Sequence, residues 1–404
     1  MEQLRQTVLN KAHREAGATM VDFGGFDMPV QYPGGILAEH LLCRSRCGIF
    51  DVSHMGRWEI GGPQQKEFLN HVLTCRADDL PLGRARYGIL CDSEGFVIDD
   101  VYLYRFREDR YFLVVNAGNR EKDRAHLTRE AAAFDVTLTD RSEELASIAV
   151  QGPKSREILE ELLGGPFGLA KKNDCCLTQL NGKTLGIART GYTGEPIGFE
   201  LFCESGEAES LWNGLVALGA GPVGLGARDT LRTEAGYPLY GHEMGDCRLG
   251  GQIPACAVPA ARFGVSLAPE KGGFIGREAL TRQKEALAAP AGSPEAQAVP
   301  YRVREIVLTG RGVLRPGCPV LCPETGEVLG YVTSGTVAPY WIFDESGIPG
   351  PESGRRSLGM ALLKESVLPG SRLTVDIRGR LTEARAAASL LITNCEPYAL
   401  PVLP

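Results

Sequence analysis

The sequence predicts a fold of the α+β class that ends in a smaller unit built from strands. Up to about residue 285, amphipathic helices such as 36–46 and 207–218 are interspersed with short strands. Residues 288–300, rich in Ala, Pro, Gly and Ser, are then predicted to form a linker or exposed loop. Beyond this linker short strands alternate with turns, a pattern typical of a small β-barrel or sandwich. These strands are predicted at residues 304–308, 318–321, 328–333, 358–362, 372–377 and 383–386.

Length and composition are typical of a globular protein with several domains. The chain has 404 residues, for which the usual domain size predicts about two to four domains. Its net charge of −7 argues against a nucleic-acid-binding protein, which needs positive charge for phosphate contacts. Neither a run of about eighteen apolar residues nor an apolar signal segment is visible. We therefore expect no membrane association and a cytoplasmic location.

Twelve cysteines are scattered along the chain, and their spacing predicts neither disulfides nor a metal site. Without a secretory signal, reduced thiols are expected. The close pairs Cys43/Cys47 and Cys318/Cys322 lack the second pair or the histidines that a zinc site requires. We therefore expect the cysteines to pack in the core and no metal to bind.

Residues 86–104 predict two strands joined by a tight turn at residues 92–95, where Gly supplies the backbone freedom. Because side chains alternate along a strand, Asp100 shares a face with aromatic residues such as Tyr102, whereas Asp99 lies on a largely aliphatic face. The two carboxylates therefore cannot form a joint pair. Each either finds a partner, has its pKa raised by loss of water, or meets solvent at the strand end. Replacing Asp99 is expected to affect stability rather than activity.

Two further polar residues lie at predicted strand ends. His54 is expected to be a strand-end histidine with a satisfied hydrogen bond, because no Ser or Cys nucleophile motif accompanies it. The strand at residues 111–115 ends at Asn116, and a helix follows to about Ala133. Asn116 either caps the turn between them or gives its amide to a ligand.

Ten short motifs occur in order along nearly the whole chain. They are MVDFGGF (20–26), FDVSHMG (50–56), IDDV (98–101), VNAG (115–118), AVQGP (149–153), RTGYTGE (189–195), GLGARD (224–229), EAG (234–236), FIGREA (274–279) and VTSG (332–335). Each motif alone is weak, but the ordered set is specific. On these residues the chain resembles the aminomethyltransferases of the glycine cleavage system, the T-protein family.

The resemblance implies a cloverleaf of three domains around a central cavity. The first would be a discontinuous folate-binding α+β domain of residues 1–53 and 137–230. The second, also discontinuous and α+β, would comprise residues 54–136 and 231–285 and carry the hairpin at 86–104. Both would be built on antiparallel sheets, and residues 300–404 would form the β-barrel-like third domain.

The resemblance also implies a reaction. An enzyme of this family passes the methylene carbon of the aminomethyl group, carried on the lipoyl arm of the H-protein, to tetrahydrofolate with release of ammonia. Tetrahydrofolate would be a cosubstrate and the lipoylated H-protein the partner, with no nucleic acid or membrane involved.

The family's functional residues match six positions of this sequence. The key acid matches Asp100, which the resemblance implies is catalytic. Folate contacts are implied for Tyr87, Asn116, Tyr192, Glu200 and Arg228. Two features depart from the family: Tyr102 stands where an aliphatic residue is usual, and residues 339–355 are predicted to form a turn-rich insertion in the third domain.

The chemistry of folate suits these side chains. A carboxylate accepts two adjacent N–H donors side by side, so Glu200 is a credible anchor for the amino-pyrimidinone edge of the pterin. Arg228 either holds Glu200 in place or reaches a ring carbonyl or the glutamate tail of the substrate. Tyr87 and Tyr192 offer ring faces and hydroxyls.

Two alternatives stay open at this point, because one fold serves several functions. The first is a folate-dependent demethylase of a small methyl donor, which would keep the folate contacts but need no H-protein. The second is a non-catalytic folate-binding scaffold, like the relatives tied to iron–sulfur maintenance. Those relatives carry a Cys in a Lys-Gly-Cys-Tyr-type motif, whereas the corresponding residues 234–241 contain none.

Overall fold

The computed structural model describes residues 3–290 and 292–403. Its α-helices are α1 (Asn10–Glu15), α2 (Ile36–Ser45), α3 (Gln65–Val72), α4 (Arg120–Ala131), α5 (Ser155–Leu163), α6 (Ala208–Ala217), α7 (Leu225–Glu234), α8 (Pro259–Phe263) and α9 (Arg277–Ala288). Its strands are β1 (Thr19–Phe23), β2 (Phe26–Gln31), β3 (Gly48–Asp51), β4 (Gly56–Gly61), β5 (Arg84–Cys91), β6 (Val97–Arg105), β7 (Arg110–Val115), β8 (Thr137–Asp140), β9 (Leu145–Gln151), β10 (Cys175–Leu180), β11 (Lys183–Ala188), β12 (Gly198–Glu204), β13 (Gly221–Pro222), β14 (Tyr301–Leu308), β15 (Pro319–Leu321), β16 (Val328–Phe343), β17 (Pro349–Lys364), β18 (Arg372–Ile377), β19 (Arg380–Ala387), β20 (Leu391–Ile392) and β21 (Leu400–Pro401).

Two sheets with helices packed against them confirm the predicted α+β class. The five-stranded sheet has the order β5-β6-β7-β4-β8 and packs against α3 and α4 through Phe68 and Leu127. The six-stranded sheet has the order β10-β11-β12-β9-β3-β13 and packs against α5 and α6 through Ile158 and Trp212. In each case the apolar face of an amphipathic helix covers one face of the sheet.

The remaining faces of the two sheets meet each other. Tyr104, Phe112 and Val114 of the five-stranded sheet share a cluster with Ala188 and Phe202 of the six-stranded sheet. Stacked aromatic and β-branched side chains of this kind exclude water from the space between two sheets. Residues at the edge of this contact therefore lie in a partly desolvated environment.

The C-terminal strands form a closed barrel with the order β14-β17-β16-β15-β18-β19, as the sequence predicted. Pairing between β14 and β19 closes it, and Ile306, Val332 and Leu363 fill its interior. Closure removes the unpaired strand edges that an open sheet would expose. The barrel contacts α2, which packs against β3 and β13 of the six-stranded sheet, and its Met360 and Leu362 share an apolar cluster with Ile89 and Val97 of the five-stranded sheet.

The prediction of a turn-rich insertion at residues 339–355 is wrong. Most of these residues extend β16 and β17 into one long hairpin, in which Pro339 pairs with Arg355 and Phe343 with Pro349. Beyond the barrel the two strands pair, among the residues that the structure describes, only with each other, so each has a free edge there. A free edge tolerates proline, because the missing N–H need not bond a second neighbour.

The predicted linker at residues 288–300 is also more ordered than expected, although residue 291 lies outside the described residues. Ala296 and Val299 are fully buried, and a short 3₁₀-helix at Glu295–Ala298 contacts α9. The segment packs against α9 because these two small apolar side chains are buried there. An exposed loop would leave them in water.

The domain boundaries stay a prediction, but the sheets suggest two adjustments. Strand β8 pairs with β4, so residues 137–140 belong with the five-stranded sheet rather than the six-stranded one. Helix α7 runs unbroken through residues 230 and 231, where a boundary was predicted. We propose boundaries near residues 141 and 235 instead, because a boundary falls in a connecting segment rather than inside a hydrogen-bonded element.

The described part of the chain has no helix that is long and apolar enough to cross a membrane. All twelve cysteines lie within it and are free, and seven of them are buried. Among the same residues no group of three or more His, Cys, Asp and Glu side chains has an arrangement suited to a metal ion.

Candidate active site

Strand register in the five-stranded sheet brings Asp100, Tyr87 and Asn116 together. Strand β6 pairs Asp100 with Ile89 and Tyr102 with Tyr87 on β5. On its other side Tyr102 pairs with Val114 of β7. Because antiparallel partners advance in step, Asn116, just after the end of β7, comes opposite Asp100.

Asp100 has two hydrogen-bond donors and a raised pKa. The Asn116 Nδ2 donates to Oδ1 at 2.9 Å, and the Tyr87 hydroxyl donates to Oδ2 at 3.2 Å. Burial and, to a smaller extent, the charge of Asp99 raise the pKa of Asp100 to about 7. The two hydrogen bonds oppose the shift without cancelling it. A carboxyl group with this pKa can take up or give up a proton at neutral pH.

Asp99 points to the opposite face of β6, as predicted, yet it is linked to Asp100 through Asn116. The Asn116 backbone N–H donates to Asp99 Oδ2 at 2.9 Å, and its Nδ2 donates to Asp99 Oδ1 at 2.9 Å. The same Nδ2 contacts Asp100. The two carboxylates therefore form no direct pair, but one amide positions both, a coupling that strand alternation alone did not predict.

Glu200 approaches the same space from β12 of the six-stranded sheet. Its Oε2 accepts hydrogen bonds from the Thr190 hydroxyl and, at 2.9 Å, from the Tyr104 hydroxyl. Among the described residues these bonds reach only Oε2, so Oε1 is the oxygen available to a ligand. The sequence analysis proposed that both Glu200 oxygens accept N–H donors of a ligand side by side. In that arrangement the ligand would share Oε2 with the Thr190 and Tyr104 hydroxyls.

Arg228, in the first turn of α7, is half-buried beside Tyr192. Its guanidinium carbon lies 4.9 Å from the centroid of the Tyr192 ring, within the range of a cation–π contact. The buried Nη1 has no hydrogen-bond partner in residues 3–290 and 292–403. Burial lowers the pKa of Arg228 and the charge of nearby Glu200 opposes this shift, but Nη1 itself is free to bind a ligand.

These residues line one cavity of about 420 Å³ between the two sheets, α7, α8 and the barrel. Binding sites for small molecules have volumes of roughly 300–1,000 Å³. All six residues that the resemblance implies lie on its wall: Tyr87, Asp100, Asn116, Tyr192, Glu200 and Arg228. Tyr102, the departure from the family pattern, also lines it and donates to Asn173 Oδ1 at 2.7 Å.

Glu305 is a cavity residue that the sequence analysis missed. It lies on β14 of the barrel, where Leu390 N–H donates to Oε2 at 2.8 Å. Burial raises the pKa of Glu305 to about 7, opposed by that N–H and by the charge of Arg356. Gly236 lies against it, since a Cβ there would come 2.5 Å from Oε1. The predicted strand at 304–308 contained no signal that this carboxyl group faces a cavity.

His54 does not have the satisfied hydrogen bond predicted for it. Its ring is buried, and Nδ1 has no partner among the described residues. Burial, opposed by the charge of Asp51 and assisted by the nearby Arg228 and Arg57 charges, lowers the pKa of His54 to about 3, so the ring is neutral. Edge contacts with Phe23 and Phe26 hold it instead. The prediction overlooked that aromatic packing can fix a neutral imidazole.

Comparison with known proteins shows the family. A model described as the GCVT N-terminal domain matches residues 9–247. The chain is 41% identical to an aminomethyltransferase of Deinococcus deserti over 377 residues, which cover 93% of this chain and 94% of the relative. It is 39% identical to one of Thermus thermophilus over 381 residues, covering 94% and 97%.

A solved structure agrees with these relatives. The crystal structure of glycine cleavage system aminomethyltransferase T from Bartonella henselae superposes with a TM-score of 0.79 at 29% identity, covering 95% of this chain and 97% of the other. With these relatives, the fold is that of a transferase enzyme. The chain belongs to the aminomethyltransferase family, the T-proteins of the glycine cleavage system.

Proposed function

We propose that this enzyme transfers the methylene carbon of an aminomethyl group, presented on the lipoyl arm of an H-protein, to tetrahydrofolate bound in the 420 Å³ cavity. The observation that carries the proposal is the convergence of three groups on one wall of tyrosines. They are the Asp100 carboxyl, which has a pKa of about 7, the Glu200 carboxylate, whose Oε1 is available to a ligand, and the Arg228 guanidinium, whose Nη1 has no partner among the described residues.

The cavity residues fit a reduced folate. A pterin is flat and presents N–H donors and a carbonyl along one edge, which match Glu200 Oε1 and the Arg228 guanidinium. Tyr192 and Tyr237, stacked with ring centroids 5.9 Å apart, offer an aromatic surface beside it. A buried guanidinium nitrogen without a partner, such as Arg228 Nη1, costs free energy, so a bound carbonyl or carboxylate would remove an existing penalty.

In the proposed reaction Asp100 moves protons. The methylene carbon loses its bonds to the lipoyl sulfur and the amino nitrogen and gains bonds to two folate nitrogens. Two protons therefore leave the folate and end on the thiol and on ammonia. With a pKa of about 7, Asp100 can accept a proton from a folate nitrogen and release it again. Tyr87 and Asn116 hold its two oxygens toward the cavity.

Single-turnover transfer from aminomethylated H-protein tests the proposal. Asp100→Asn should lose about 10²–10⁴ in rate, the usual value of general acid–base catalysis. The variant should still bind tetrahydrofolate, because the amide keeps the shape of the side chain. Reduced folate at about a hundred times its Kd should stabilise the wild-type protein by about 2.7 kcal/mol.

Two results would contradict the proposal. The first is a thermal unfolding midpoint that saturating tetrahydrofolate leaves unchanged, which would refute folate binding. The second is full activity of Asp100→Asn, which would refute the assigned role while leaving folate binding intact. A panel of small methylated amines and sulfides, assayed with folate but without H-protein, identifies a demethylase if one of them is turned over instead.

A further inference from the structure

A third carboxyl group lies behind the proposed catalytic carboxyl, on the far face of β6. Helix α4 packs on this face, and Asn119, the residue that precedes its first turn, lies four residues before Asp123 and on the same side. Both face Asp99. Asp99 and Asp123 are completely buried, with 0% of either residue exposed.

The Asp99 carboxylate is surrounded by donors. It accepts the Asn116 backbone N–H and the Asn116 Nδ2, each at 2.9 Å, and also the Asn119 Nδ2. Burial raises the pKa of Asp99, but the hydrogen bonds from three N–H groups oppose this shift and favour its ionised form. Asp99 is therefore the member of the cluster best suited to carry a negative charge.

Asp123 has the opposite environment. Neither of its oxygens accepts a hydrogen bond from a nitrogen or hydroxyl donor in residues 3–290 and 292–403. Its hydrogen-bond contact is with Asp99, and two carboxyl groups can share such a bond only if one of them holds the proton. An ionised carboxylate buried without donors would cost several kcal/mol.

We propose that Asp123 is a neutral carboxylic acid that donates its proton to Asp99 and so acts as a positioning residue for the transfer reaction. The line of contacts runs from Asp123 to Asp99, from Asp99 to Asn116, and from Asn116 to Asp100. This role rests on the proposed function of Asp100. Asp123 itself does not reach the cavity.

The charges around Asp123 support this protonation state. Burial raises the pKa of Asp123 to about 10, and the charge of Asp99 and the hydrogen bond with it act in the same direction, as does Asp100. Lys122 is the cation that opposes the shift, but its Nζ lies 3.9 Å from the centroid of the Tyr240 ring instead of pairing with the carboxyls. A neutral Asp123 also adds no negative charge that would repel the Asp100 carboxylate.

Asp123→Asn is the decisive variant, because an amide is neutral and can donate to Asp99 as the acid does. We expect its transfer rate to stay within about threefold of wild type, with the same pH dependence. Asp123→Leu removes the donor and should lose about tenfold or more in turnover, the usual effect of an unmade buried hydrogen bond, while folate Kd changes less. Asp135→Asn, at an exposed position, is the matched control.

Stability measurements test the proton directly and do not require activity. If native Asp123 keeps its proton up to about pH 10, whereas the unfolded chain loses it near pH 4, wild type must lose stability as the pH rises between these values. Asp123→Asn lacks this loss. As the pH rises through this window, the unfolding equilibrium constant of wild type should therefore increase relative to that of Asp123→Asn, by up to about tenfold for each pH unit.

Three results would overturn the proposal. One is a difference in stability between Asp123→Asn and wild type that does not change with pH. Another is a rate for Asp123→Asn as low as that of Asp123→Leu. The third is a pH profile of Asp123→Asn displaced to lower pH, which would mean that an ionised Asp123 had been raising the pKa of Asp100. Failure of the Asp100 assignment is distinguishable, since it would leave the stability result intact.

Discussion

Replacing Asp99 by Asn is the most informative single change at the site, because Asp99 touches no substrate in the proposed reaction. The amide keeps one acceptor oxygen but replaces the other with an NH₂ group. Three N–H groups, two from Asn116 and one from Asn119, now point at the Asp99 carboxylate. At least one of them would face a donor after the substitution.

The structure sets the expected magnitude of this change. One unsatisfied buried donor costs about 1–3 kcal/mol, which corresponds to a factor of roughly 5–150. Part of this cost should fall on turnover, because the misplaced amide of Asn116 also holds Asp100 Oδ1 at 2.9 Å. The variant also removes a negative charge that raises the pKa of Asp100, so this pKa should fall below about 7. Since Asp100 accepts a proton only when ionised, the acidic limb of the rate profile should move to lower pH.

Single-turnover transfer at a series of pH values, with folate Kd and thermal unfolding measured on the same preparations, checks both effects. The expected outcome is a lower maximal rate together with an acidic limb displaced toward low pH. If Asp99→Asn loses stability alone and keeps the wild-type rate and profile, the coupling through Asn116 is not functional. The simpler expectation from strand alternation, that Asp99 matters only for stability, would then be right.

Three further substitutions test the cavity wall. Glu200→Gln should weaken folate binding by about 1–3 kcal/mol, and an unchanged Kd by titration would exclude Glu200 as an anchor. Arg228→Met should leave the folate-free protein as stable or more so, because it removes an unpaired half-buried charge. It should also abolish most of the thermal shift with folate, and a normal shift would contradict the proposed contact. Glu305→Gln should make the free energy of unfolding less dependent on pH between about pH 4.5 and 7. The raised pKa keeps native Glu305 protonated in this range, so wild type loses at most about 3 kcal/mol of stability as the pH rises. Equal pH dependence in the two proteins would show that Glu305 titrates normally.

Local periodicity in the sequence was enough to predict several features of the fold. Alternation along β6 placed Asp99 and Asp100 on opposite faces, and the strand pattern after residue 300 predicted the barrel. Both follow from the geometry of a strand, which each residue imposes on its neighbours whatever surrounds them. The family resemblance likewise pointed to six residues that line one cavity, although their roles stay predictions.

Tertiary structure decided what those residues can do. Pro339 and Pro349 predicted turns, but proline breaks a strand only where both edges must pair, and here one edge is free. The pKa values of Asp100 and Asp123, the missing partner of Arg228 and the presence of Glu305 in the cavity depend on burial and on groups distant in the chain. Desolvation and hydrogen bonding are set by which elements pack together, and the spacing of residues along one strand does not contain that information.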